Sequence, residues 1–151
     1  MPYRLFGGLW LALPPWARRF VLRRVQTTFT FSAAAVVVNE QRKVLVLHHR
    51  LRPNTGWGLP GGFIDDGEQP HTAIARELME ETGIEITDIR MLHLKTLGRH
   101  VEILFAAKAN EEGEILSPEI DRLGWYRFED IPERLPCDQR QTVERVLNGE
   151  I

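Results

Sequence analysis

The 151-residue sequence predicts an α+β fold on three observations. Two apolar runs near the front, 29–38 and 43–49, are rich in β-branched residues and read as strands. A segment over 70–82 reads as a helix, with Pro70 suited to its first turn and Gly83 to a left-handed cap after its last. A second pair of strand-like runs, 89–97 and 100–109, then follows, and 139–147 closes the chain as a helix with Val143, Val146 and Leu147 on one side.

Taken in order, the first two runs read as a hairpin around the polar turn 39–42, and their near-continuous apolar character predicts burial on both faces. A basic loop at 50–55 leads into Trp57-Gly58-Leu59-Pro60-Gly61-Gly62, and Asp65-Asp66-Gly67 reads as a turn. Gly98-Arg99 is the expected turn of the second pair. A strand is expected over 124–128, preceded by the loop that carries Pro118, Glu119 and Asp121.

Length and composition fit one ordinary domain. A net charge of −2 gives no bulk electrostatic reason to bind a nucleic-acid polymer. Cys137 is the only cysteine, which excludes an internal disulfide and a cysteine zinc cluster and agrees with a cytoplasmic location.

Residues 1–27 read as a basic apolar arm ahead of a domain spanning 28–151. The arm holds Arg4, Arg18, Arg19, Arg23 and Arg24 and no acidic residue. Most of these arginines follow the apolar run, the reverse of a secretory signal, and the run is too short to span a bilayer. Two readings remain. The arm packs on its own domain or on a second copy in a homodimer, or 16–25 lies as an amphipathic helix on an anionic membrane surface.

The chemistry centres on the 70–82 helix. At 3.6 residues per turn, Glu77, Glu80 and Glu81 fall within roughly a 100° arc, with Ile74, Ala75, Leu78 and Met79 on the other side. Carboxylates so close repel by roughly 0.2–0.5 kcal/mol per pair. Arg76, one turn before Glu80, offsets part of this, and a divalent cation would offset more. Without a ligand the same pattern is a solvated acidic face. His48, His49, Arg50 and Arg52 end a strand just before the glycines, either as a solvated strand end or as a cationic lip for phosphates. Trp57 either stacks on a base or packs in the core.

The segment from Gly62 to Ile84 resembles the Nudix box, G-x5-E-x7-R-E-U-x-E-E-x-G-U with U a bulky aliphatic. Gly62, Glu68, Arg76, Glu77, Leu78, Glu80, Glu81, Gly83 and Ile84 match every fixed position. The resemblance implies the Nudix fold, a mixed β-sheet sandwiched between helices. It also implies hydrolysis, dependent on Mg²⁺ or Mn²⁺, of a diphosphate linkage in a nucleoside diphosphate derivative or nucleoside triphosphate. By motif position, Glu77, Glu80, Glu81 and the Gly62 carbonyl would be metal ligands, while Arg76 and Glu68 would orient the acidic helix. The general base would be a box glutamate or a later acid, with Glu119 ahead of Asp121 and Glu102. Substrate contacts would come from Arg50, Arg52 and Trp57. Of the downstream marker residues of such enzymes, neither the proline of ADP-ribose hydrolases nor the tyrosine of dinucleoside polyphosphate hydrolases is present; His100 and Val101 stand there. The coenzyme A type and NADH-type motifs are also absent. Two alternatives are a hydrolase of lipid-linked or prenyl diphosphates at a membrane surface and a nucleotide-sensing module with little turnover. Modules of the second type usually lose box acids, and this chain keeps them all.

Overall fold

The computed structural model describes residues 13–18, 28–51, 56–110 and 112–151. The expectations for the N-terminal arm, as a homodimer contact or a membrane contact, fall largely outside these residues, as does Arg52. No helix among the described residues is long and apolar enough to cross a membrane.

The chain order is β1 (Thr30–Val38), β2 (Val44–His49), β3 (Trp57–Gly58), β4 (Gly61–Phe63), α1 (Pro70–Thr82), β5 (Thr87–Leu97), β6 (His100–Lys108), β7 (Ile120–Tyr126) and α2 (Cys137–Leu147). The strands form one sheet of order β3-β2-β1-β6-β5, with β4 also pairing β1 and β7 also pairing β2. The sheet is mixed because β1 and β6 run parallel while the other pairs are antiparallel.

Alternation along β1 explains the three layers. Ala33, Ala35 and Val37 face Ile74 and Leu78 of α1, together with Leu45, Leu47 and Phe105. Ala34, Val36, Val44 and Val46 face the other way, toward Val143 of α2. A strand buried on both sides needs apolar residues at every position, which is the run seen in the sequence. Each fully buried Leu or Ile contributes about 1.5–3 kcal/mol of apolar burial.

Three expectations change. The hairpin closes at Val38 opposite Val44, but β1 then leaves β2 and takes β6 and β4 as neighbours. The split opens the sheet where the glycines lie. The last strand begins at Ile120, and Phe128 lies instead in a 3₁₀ turn over Phe128–Asp130. In α1 the buried positions are Ala73, Ile74, Leu78, Glu81 and Thr82, while Met79 is 44% exposed. The apolar arc therefore overlaps the acidic one, because one edge of this helix faces a cleft at the margin of the core.

Candidate active site

Helix α1 begins at Pro70 and stops at Gly83, whose φ of 67° places it in the left-handed region and whose N–H reaches the Met79 carbonyl. These ends set the carboxylates of α1 against β4. Gly61 and Gly62 bring main chain close to them. A Cβ on Gly61, at φ 150°, would fall 2.2 Å from the Ala33 carbonyl oxygen. A Cβ on Gly62 would fall 2.3 Å from Glu77 Cδ. Glycine at position 62 is what allows main chain and carboxylate to share this space.

A cleft of ≈ 640 Å³ lies here. Its lining includes Glu77, Glu81, Gly62, Asp65, Glu119, Glu102, His49 and His100. Glu81 is buried, 7% exposed, with Oε1 3.9 Å from His49 Nδ1. Burial pushes the Glu77 carboxyl above its usual range, and the Arg76 guanidinium partly opposes that rise.

Arg76 ties the acids together. Its Nε and Nη2 donate to Glu68 Oε1 and Oε2, each at 2.9 Å. Its Nη1 donates to Glu77 Oε1 at 2.9 Å and to Glu80 Oε2 at 3.2 Å, and Nη2 also reaches the Phe63 carbonyl at 3.1 Å. The guanidinium pKa is raised accordingly, chiefly by the hydrogen bond to Glu68. Glu68 in turn accepts from the Asp65 N–H at 3.1 Å, which stitches the turn after β4 to the helix. A lysine offers one point charge and cannot reproduce this fork. Arg76→Lys is expected to lower the urea midpoint and to cut kcat/KM by about 10- to 100-fold. Unchanged kinetics would show that the fork does not set the acids' positions.

Several carboxylates outside the cleft centre are held below their usual range. Glu68 is held there first by Arg76, Asp88 by Lys108, Asp121 by His48 and Asp138 by Lys95. A group whose folded pKa is depressed stabilises the fold above its unfolded value and loses that contribution as pH falls through the folded value. Thermal scans should therefore show a steady Tm from pH 7 to about 5 and a progressive fall below about pH 4. Raised Glu77 acts in the opposite sense, so Glu77→Gln should steepen this fall.

The structure gathers only part of the expected site. Gly62, Glu77, Glu81 and Glu119 share the cleft. Glu80 does not: its side chain is 60% exposed and turned toward Arg76. Among the described residues, no three His, Cys, Asp or Glu side chains are already gathered into a metal-holding group. The physical reason is the guanidinium, which neutralises Glu77 and Glu80 from outside the cleft. The donors that do line it are carboxylate and main-chain oxygens beside a glycine cradle, the chemistry that suits a hard dication.

Arg50 and Trp57 are not among the cleft-lining residues. Arg50 is exposed, and its main-chain N–H binds the Glu119 carbonyl at 2.8 Å. Trp57 packs edge-on against His48, centroids 5.0 Å apart, and against Tyr126. His48 is not among the cleft-lining residues and pairs through Nδ1 with Asp121 Oδ1 at 2.5 Å, so among the described residues of that lip only His49 lines it. Asp121, the second choice as base, is thereby engaged. Sequence reasoning missed Ser32, Asp65 and Phe63 as cleft residues. Alternation along β1 and the position of Phe63 next to Gly62 were the available signals.

The chain matches the NUDIX domain family over residues 28–146. It is 34% identical over 106 residues to a MutT-like protein of Streptomyces ambofaciens, covering 69% of this chain and 68% of that protein. It is 29% identical over 120 residues to the NAD-capped RNA hydrolase NudC of Vibrio cholerae serotype O1, covering 78% of this chain and 44% of that one. The chain thus spans less than half of that second relative. Among solved structures, the MutT NUDIX hydrolase from Burkholderia pseudomallei matches with a TM-score of 0.69 at 27% identity, covering 80% of this chain and 99% of that one. The NUDIX domain of Shewanella oneidensis NrtR, solved with ADP ribose, matches with a TM-score of 0.69 at 23% identity, covering 96% and 98%, which speaks to the fold alone. Family match and intact acidic motif together make this chain a member of the NUDIX domain family, a Nudix hydrolase.

Proposed function

We propose that this chain hydrolyses the diphosphate linkage of a nucleoside diphosphate derivative or nucleoside triphosphate, with Mg²⁺, or Mn²⁺ in its place, as the required cation. The observation that carries the reading is the glycine cradle: main chain at Gly62 abuts the Glu77 carboxylate at a cleft that Glu81 also lines. Glu77, Glu81 and the Gly62 carbonyl would hold the cation, with Glu80 joining once it leaves Arg76. When bound, the cation supplies charge neutralisation at the phosphate oxygens and lowers the pKa of water.

The chain's own residues do the rest. Arg76 fixes Glu77 and, through Glu68, the turn that follows β4. His49 sits behind Glu81. Glu119, which also lines the cleft, takes the proton from the attacking water at its carboxylate. Water adds to phosphorus, the bridging P–O bond breaks and the leaving phosphate departs with that electron pair. Arg50 is exposed and bound through its main-chain N–H to the Glu119 carbonyl, and phosphates in solution would meet its guanidinium.

The NudC likeness raises a capped polymer as a substrate, but the NADH-type motif is absent and the net charge of −2 offers no polymer track. The small-molecule reading is therefore preferred. Purified protein with Mg²⁺ should release phosphate-containing products from at least one member of a panel of nucleoside diphosphate sugars, dinucleotides and triphosphates. A blank panel with both Mg²⁺ and Mn²⁺, together with calorimetric nucleotide binding, would favour the sensing alternative.

A further inference from the structure

A strip of side chains crosses the sheet beside the acidic cleft. Ser32 of β1 lies opposite Phe63 of β4 on one side and opposite Glu102 of β6 on the other. Cross-strand neighbours project from the same face, and strands lie about 4.8 Å apart, so the row runs about 10 Å. All three residues line the cleft. They continue the sheet face that α2 covers further along at Ala34, Val36 and Leu104.

The row is built rather than incidental. His100 lies opposite Thr30 and binds two hydroxyls of β1, Thr30 Oγ1 through Nδ1 at 2.8 Å and Ser32 Oγ through Nε2 at 2.9 Å. With both ring nitrogens engaged, the imidazole holds the Ser32 hydroxyl in place. The same ring meets the edge of Phe63, centroids 5.9 Å apart, and Phe63 is 64% exposed. Glu102 is half-buried, and its cross-strand neighbour Lys95 is committed to Asp138 of α2. The Glu102 carboxylate is thereby left facing the cleft.

An aromatic ring, a fixed hydroxyl and a carboxylate in line match a planar base followed by a sugar that donates hydroxyl protons. A carboxylate accepts two adjacent hydroxyls at once and repels phosphate, so the phosphates lie toward Gly62 and the cation. We propose that this row is the nucleoside subsite, and that Glu102 with Ser32 accepts the vicinal 2′,3′-diol and so selects ribose over 2′-deoxyribose. The inference rests on the nucleotide reading above and narrows its substrate class to ribonucleotides.

The test compares ADP, GDP, CDP and UDP with their 2′-deoxy forms by calorimetry in Mg²⁺, and reads kcat/KM ratios for the corresponding triphosphates. Wild-type protein should favour the ribose form of its best-bound base by at least about tenfold. Glu102→Gln and Ser32→Ala should each bring that ratio to within twofold, the ribose form losing at least about fivefold more than the deoxy form, and Phe63→Ala should weaken both sugars alike. A wild-type ratio within twofold overturns the proposal, as does a ratio that survives Glu102→Gln. An equal loss for both sugars in Glu102→Gln also overturns it, because the carboxylate would then be acting on water or cation. Binding or turnover without sugar preference sinks this inference alone. A protein that neither binds nor turns over any of these nucleotides sinks the nucleotide reading with it.

Discussion

Glu81→Gln is expected to lower kcat/KM by about 10²- to 10³-fold, roughly 3–4 kcal/mol of transition-state stabilisation, while leaving Tm level or raising it. The two halves of this result have one cause. Glu81 is 7% exposed and lies among Ile74, Leu78 and Thr82 on the buried side of α1. A carboxylate costs desolvation there, and Glu77 and Glu80 on the same turn add repulsion. Glutamine has the same shape and none of the charge, so the fold gains what the chemistry loses. Steady-state kinetics in Mg²⁺ with a parallel thermal scan checks both. A rate within threefold of wild type would remove Glu81 from the ligand set.

Gly61→Ala is expected to destabilise by about 2–4 kcal/mol, a fall of roughly 5–15 °C in Tm, whereas Gly62→Ala should fold well and lose activity about 10- to 100-fold. At Gly61 the new methyl would meet a carbonyl oxygen of the central strand at 2.2 Å, from a backbone at φ 150°. Neither partner can yield, since β4 and β1 are already paired there through Ala34. At Gly62 the methyl meets the far end of the Glu77 side chain, which can swing aside. Stability survives that movement and the position of the Glu77 carboxylate does not. Equal Tm losses in the two variants would contradict this division.

Much of the fold was legible because its signals are local. Pro70 and Gly83 bound a helix that runs over Pro70–Thr82, and Gly98 supplies the expected turn between β5 and β6 at φ 61°. The apolar run of β1 announced burial on both faces. The features that differ are relational. Helical spacing puts Met79 in the apolar arc because it gives angles and not the direction of the core. The hairpin of β1 and β2 is shorter than the apolar runs suggest because the turn at Asn39–Arg42 fixes only where the pair closes. The departure of β1 toward β6 depends on residues about 70 positions later.

The acidic motif, from Gly62 to Ile84, and with it membership of the Nudix hydrolases, lay in the order of residues alone, since a helix and its flanking turns are set by neighbours in the chain. Tertiary structure decided which of those acids share a cleft: Glu77 and Glu81 enter it, while Arg76 holds Glu80 outside. It also decided that Ser32, Phe63, His100 and Glu102 meet, because a parallel register between β1 and β6 aligns positions such as Thr30 with His100 and Ser32 with Glu102. Spacing along the chain carries no record of that register; it comes from packing the sheet between two helices.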